Sequence, residues 1–214
     1  YLGLSKSFSP SEKKSKYITN KHMLSNLFSN EFTSIILLDS FEAGLLIKTY
    51  FQKLKIFSAF NGEDVVTIRS SSSFQEENKL NIGLSIFRRL DYLTPESYTP
   101  MPPGALFVGN RSFGRWKTLN SGRKLWVFRR AYKHFPQSFH WGNFRPSYKF
   151  YEKIKSYQKN NKTFRGVQNE FGTNGLLTKK TLTSKRKRSP NLQTSLLHHL
   201  SYLTYIHPWD QDNK

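Results

Sequence analysis

His134 and His140 stand six residues apart in a segment crowded with aromatics. Paired imidazoles titrate near neutrality and could act as acid and base in phosphodiester cleavage. We read them instead as structural or phosphate-binding groups, because the rest of an enzyme is missing. Two-metal phosphoryl chemistry needs clustered carboxylates, and residues 97–190 hold only Glu152 and Glu170. The pairs Glu63-Asp64 and Glu76-Glu77 sit in turn or capping contexts. His198, His199, His207, Asp210 and Asp212 match no zinc spacing, and the nearest carboxylates lie beyond Pro208. The glycines of GALFVGNRSFG precede an expected strand and lack the Lys-Ser/Thr of a phosphate-binding loop. With no cysteine among 214 residues, thiolate metal sites, disulfides and thiol nucleophiles are excluded. The sequence therefore predicts a non-enzymatic protein with no cofactor.

What remains is charge. Lys and Arg total 34 against 14 Asp and Glu, a formal +20, and the excess is concentrated. Residues 1–96 carry 12 basic and 10 acidic side chains, whereas 97–190 carry 21 and 2. The 55 residues between Glu96 and Glu152 contain no carboxylate and 14 aromatics. Like charges destabilise a compact state unless something neutralises them, so a polyanion is the expected partner. Nucleic acid is the commonest, since cations that bind phosphates release counterions. The candidate nucleic-acid-binding residues are Arg111, Arg115, Lys117, Arg123, Lys124, Arg129, Arg130, Lys133 and Arg145. Trp116 and Trp126 are candidate platforms for stacking on unpaired bases. The cluster Lys185, Arg186, Lys187 and Arg188 reads as a further polyanion contact.

These side chains need elements to position them, and the patterning predicts an α+β chain in five segments. Residues 1–31 form a polar arm with one short helix around Met23–Phe28. In 32–96, Asp39 and Glu42 make a capping-box pattern, followed by Leu45, Leu46, Phe51 and Leu54 at helical spacing up to Asn61-Gly62. This predicts a helix over about 40–59. Asp64–Arg69 is β-branched and predicts a strand, and a second capping box at Ser73 and Glu76 predicts a helix over about 74–93. The module is thus helix–strand–helix. The proline-rich string PESYTPMPPGA marks a boundary.

Residues 97–158 form the basic, aromatic, β-rich module, with a strand at Ala105–Gly109. A hairpin then joins Phe113–Leu119 to Arg123–Arg129 about the loop Asn120-Ser121-Gly122. That loop sets Trp116 opposite Trp126, on one face with Phe128, and turns Lys117, Leu125 and Arg129 the other way. A short basic helix is expected at Tyr148–Gln158 and an extended basic loop over 159–190. In 191–214, Leu196, Leu197, Leu200, Leu203 and Ile206 predict a C-terminal docking helix with a tail.

The function expected is an RNA-binding structural component of a ribonucleoprotein such as a ribosome, organellar or cytoplasmic, with neighbouring protein subunits as further partners. The alternative is a structural component of an exported cell-envelope or filament assembly, located in the periplasm or envelope. The first residue is Tyr1 rather than Met, so a removed signal or transit peptide fits both readings. No transmembrane segment is expected: the greasiest stretch, Phe32–Ile47, is interrupted by Asp39 and Glu42.

Overall fold

The computed structural model describes residues 17–27, 31–44 and 47–188. Its centre is a curled five-stranded mixed sheet, a half-barrel, with 31% strand against 24% helix. Among the described residues seven strands occur in chain order: β1 (Tyr17–Ile18), β2 (Thr33–Ala43), β3 (Thr49–Ser58), β4 (Gly62–Ser70), β5 (Ser85–Arg89), β6 (Gly114–Thr118) and β7 (Lys124–Phe128). The large sheet has the order β1-β4-β3-β2-β5, with β1 parallel to β4 and the other pairs antiparallel. The second sheet is the β6–β7 hairpin alone.

The expected helix–strand–helix module is therefore absent. The region predicted as a helix over 40–59 is the β2–β3 hairpin, paired from Thr33↔Ser58 to Ala43↔Thr49. Over Thr33–Leu37 and Leu54–Ser58 both faces of these strands are buried, which fills in the alternation that normally marks a strand. Ile35, Leu37 and Leu54 enter one core cluster with Ile18, Leu24, Ile68, Phe74 and Phe87. Ile36 and Phe57, on the opposite face, enter the other. A register shift between Leu37 and Asp39 re-aims the strand where Asp39 turns to solvent. The predicted strand at 64–69 is the centre of β4.

The second expected helix shrinks to α1 (Ser72–Asn78), and the strand β5 runs through the later part of its predicted span. The cap of α1 is Ser71, whose side chain accepts the Phe74 N–H at 3.1 Å, rather than Ser73. The helix ends where the Asn78 side chain donates back to the Phe74 carbonyl and Gly83 takes φ +83. Ser97 and Met101 then bridge the backbone of Arg88 and Ser85, so the proline-rich segment lies along the β5 edge. Fully buried Arg88 donates to the Ser85 carbonyl and the Ser97 hydroxyl, and burial pushes its guanidinium down to about 9, still protonated at neutral pH.

Ala105–Gly109 is not a strand but a series of turns. Gly104 at φ +81 shows why side chains are excluded there: a Cβ would stand 2.6 Å from the Phe139 ring and 2.7 Å from Trp141. Trp141 locks the segment by donating its Nε1–H to the Pro103 carbonyl at 3.0 Å. The rings of Phe107, Phe135 and Phe139 pack edge to face around Phe57, Phe113 packs edge to face on Phe107, and with Trp126, Phe128, Trp141 and Phe150 they build the larger core. The single turn α2 (Phe135–Ser138) lies inside this cluster, and α3 (Tyr148–Lys159), capped by Ser147, adds Phe150 and Ile154.

Residues 160–175 are irregular, but Leu176–Arg188 forms a helix, α4, where an extended loop was expected. Thr178 of α4 packs where the side chain of Gly83 would be. The first part of the N-terminal arm and the predicted C-terminal helix lie outside the described residues. The short helix expected near Met23 is a 3₁₀ helix over Lys21–Leu27.

Candidate nucleic-acid interface

The β6–β7 hairpin forms at the expected register, with Trp116 opposite Trp126. Asn120-Ser121-Gly122 is the loop: the Gly122 N–H donates to the Leu119 carbonyl, and Gly122 has φ +76, the left-handed residue of a three-residue hairpin. β7 is supported on its other edge by the segment before α3, since the Trp126 N–H donates to the Pro146 carbonyl at 2.8 Å and Leu125 bridges Ser147.

Alternation then sorts the side chains. Trp126 and Phe128 point inward and are buried. Arg115, Lys117 and Val127 lie on the opposite face and are exposed. Arg129 continues that alternation, its backbone N–H still donating to the Phe113 carbonyl. Its guanidinium Nε–H donates to the Arg111 carbonyl at 3.1 Å, which draws the 109–112 turn to the hairpin. Arg123 is exposed at the loop end. Arg130, exposed as well, opens a short 3₁₀ turn (Arg130–Tyr132) beyond the strand.

Trp126 is not a stacking platform. It is 1% exposed, and its ring packs edge to face against Trp116 and Phe128. Trp116 is half-buried, its ring 5.1 Å from Tyr148 and 5.6 Å from Tyr151. Lys124 is exposed with its ammonium 5.8 Å from the Tyr148 ring, and Lys155 lies 5.0 Å from Tyr151. A hydrogen bond with Tyr151 holds Lys155 above its ordinary 10.5. This tyrosine–lysine edge on α3 was not among the residues singled out from the sequence. The helical spacing of Tyr148, Tyr151 and Lys155 within the predicted helix was the signal that could have found it.

Counter-charge is distributed as unevenly in space as in sequence. Ion pairs join Lys48 to Glu42, Lys55 to Glu63, Lys79 to Glu76 and Arg89 to Glu96, within residues 42–96. None of Arg111, Arg115, Lys117, Arg123, Arg129, Arg130 or Lys133 has a carboxylate partner among the described residues. Glu170 is occupied locally, accepting the Gln168 N–H at 2.9 Å.

Lys133 and Arg145 lie apart from the hairpin face, along a groove beside α4. Arg145 is partly committed to its own loop, donating to the Gly142 and Phe144 carbonyls, both at 2.7 Å. Lys185, Arg186, Lys187 and Arg188 occupy the last turn of α4, and their side chains lie outside the described residues. α2 separates exposed His134 from half-buried His140. Among the described residues no cluster of three or more His, Asp or Glu could hold a metal ion, and no helix is long and apolar enough to cross a membrane. No protein-family model matches the chain, and neither curated proteins nor solved structures give a significant match.

Proposed function

We propose that the protein is a non-enzymatic RNA-binding component of a ribonucleoprotein assembly, with the β6–β7 face and its flanking turns as the phosphate-contacting surface. One observation carries this reading: the exposed cations from Arg111 to Lys133 have no carboxylate partner among the described residues, whereas Lys48, Lys55, Lys79 and Arg89 in the first half of the chain each have one. Exposed guanidinium groups on a rigid hairpin can grip phosphates without first breaking an ion pair, so binding releases counterions at little internal cost. The core behind the hairpin fixes the spacing of Arg115 and Lys117, two residues apart on one side of a strand. A ribosome, organellar or cytoplasmic, is the assembly in which such a chain would have both RNA and protein neighbours.

The test is a salt titration of RNA binding by the full chain. If about 6–10 phosphates are neutralised, affinity falls by ~10³–10⁵ between 50 and 200 mM salt on duplex, and less steeply on single strands. The double variant Arg115→Gln, Lys117→Gln should lower the slope of log affinity against log salt by about 1.4–1.8. A flat salt response would remove the proposal. Preference for anionic vesicles or an acidic wall polymer over RNA would support the envelope alternative instead.

A further inference from the structure

Apart from the hairpin face lies an open groove between the loop after α2 and the first turns of α4, about 630 Å³ in volume. That is the size of a small-ligand site, which spans ~300–1,000 Å³, and it is too confined for a duplex. Lys133, Arg145 and Lys180 line it, and among the described residues no carboxylate does. Gln137 and Asn143 supply both donors and acceptors. Half-buried Phe144 supplies aromatic surface, backed by the buried ring of Trp141.

We propose that this groove holds one unstacked nucleotide of a single-stranded RNA, its phosphate among the lysines and its base against Phe144. This rests on the RNA-binding reading and adds a base-recognising subsite to a surface otherwise built for phosphates. A phosphate alone would need only the cations. The amides of Gln137 and Asn143 match a base edge, whose donors and acceptors are exposed only when the strand is unpaired. Phe144 suits a stacking role because it is half-buried yet rigid: its ring is wedged edge to face against Trp141, Phe150 and Phe171 at 5.8, 5.2 and 5.4 Å. Little side-chain freedom is left to lose on binding.

The backbone there is also specialised. His140 holds φ +57, a left-handed conformation uncommon for a residue with a side chain. Gly142 comes two residues later at φ +55, and a Cβ built on it would meet nothing within 4 Å. The loop thus curls away and leaves the groove open in front of Gly142. Non-glycine residues held in this way cluster at ligand sites.

The experiment compares four probes on the full chain: a single-stranded oligoribonucleotide, the same backbone with abasic sites, the corresponding duplex, and free adenosine monophosphate. The wild type should favour the intact over the abasic strand by about 5- to 150-fold, the range of a base–aromatic stack. Phe144→Leu should erase that preference while duplex affinity stays within about twofold. If that variant fails to fold, Lys133→Gln with Lys180→Gln, both at exposed positions, should weaken single-strand binding more than duplex binding.

Equal binding of intact and abasic strands by the wild type would overturn the inference while leaving the phosphate-binding surface standing. So would a folded Phe144→Leu that keeps the preference, or free nucleotide binding as tightly as the strand. Failure of every RNA probe to bind with salt dependence would instead overturn the RNA-binding reading itself.

Discussion

Trp126 and Trp116 face each other across one hairpin and play different parts. Trp126 fills the centre of the larger core at 1% exposure, so Trp126→Ala should cost ~3–5 kcal/mol through lost burial and an unfilled cavity. Its indole Nε1–H, however, is buried without a partner among the described residues. A stranded donor costs ~1–3 kcal/mol, so Trp126→Phe should cost markedly less than the alanine variant; urea melts of the two decide it. Trp116, half-buried against Tyr148 and Tyr151, should move stability less. A second residue-scale prediction concerns Lys55, a buried lysine whose ammonium donates to the Ser138 carbonyl at 2.7 Å and meets Glu63 at 2.6 Å. Burial pushes the Glu63 carboxyl up, but the hydrogen bond and charge of Lys55 outweigh it and hold the group below its ordinary 4.5. A carboxylate depressed in the fold contributes stability that is present above its unfolded value and is lost as pH falls through the folded value. Unfolding free energy should therefore drop as pH falls below the carboxyl's ordinary 4.5, and Glu63→Gln should flatten that drop; an unchanged pH profile in the variant would show that the pair does not matter.

At the scale of elements, β6 depends on a close approach. A Cβ at Gly114 would stand 2.5 Å from the Trp126 ring and 2.6 Å from the Val127 carbonyl oxygen, and neither is a flexible end that can swing aside. Gly114→Ala should therefore destabilise by ~1–3 kcal/mol, and near-ultraviolet circular dichroism should report a shifted Trp126. The hairpin was legible in the sequence because its loop has glycine at the left-handed position and its faces differ in polarity, so Trp116↔Trp126 could be reached by counting. The β2–β3 hairpin was not legible, because Ile36 and Phe57 on one face and Ile35, Leu37 and Leu54 on the other are all apolar, and Asp39 with Glu42 imitates a helix start inside a strand. β5 was hidden for a different reason: all five of its residues are buried, yet Ser85, Arg88 and Arg89 are polar, so hydropathy does not mark the strand. Of the candidate site, the exposed cations on the hairpin could be read from alternation. The groove beside α4 could not, since it joins Lys133 and Arg145 to Lys180 across a helix that the lysine-rich composition had suggested was a loop.

The whole molecule must fold around an uncompensated charge, and this sets a prediction that separates stability from binding. Of its 21 basic residues, the 97–190 stretch can pair few with its own two carboxylates, so self-repulsion opposes the compact state in the absence of a partner. Added salt screens that repulsion over a Debye length of about 8–10 Å at 0.1–0.15 M. It also weakens the ion pairs, but Lys48–Glu42 and Lys79–Glu76 are at least half exposed and such pairs are worth only ~0–1 kcal/mol each. The more buried Lys55–Glu63 and Arg89–Glu96 pairs are screened less. Relief of repulsion therefore wins, and the free protein's Tm should rise between about 50 and 200 mM monovalent salt, the interval over which its RNA affinity falls. Saturating RNA at low salt should raise Tm as well, because a ligand at about 100 times its Kd adds about 2.7 kcal/mol to the folded state. The two gains should not add, since RNA and salt neutralise the same cations and salt dissociates the RNA. A Tm that falls with salt in the free protein would mean that attractive pairs outweigh the repulsion, and that carboxylates elsewhere in the chain already balance the hairpin face.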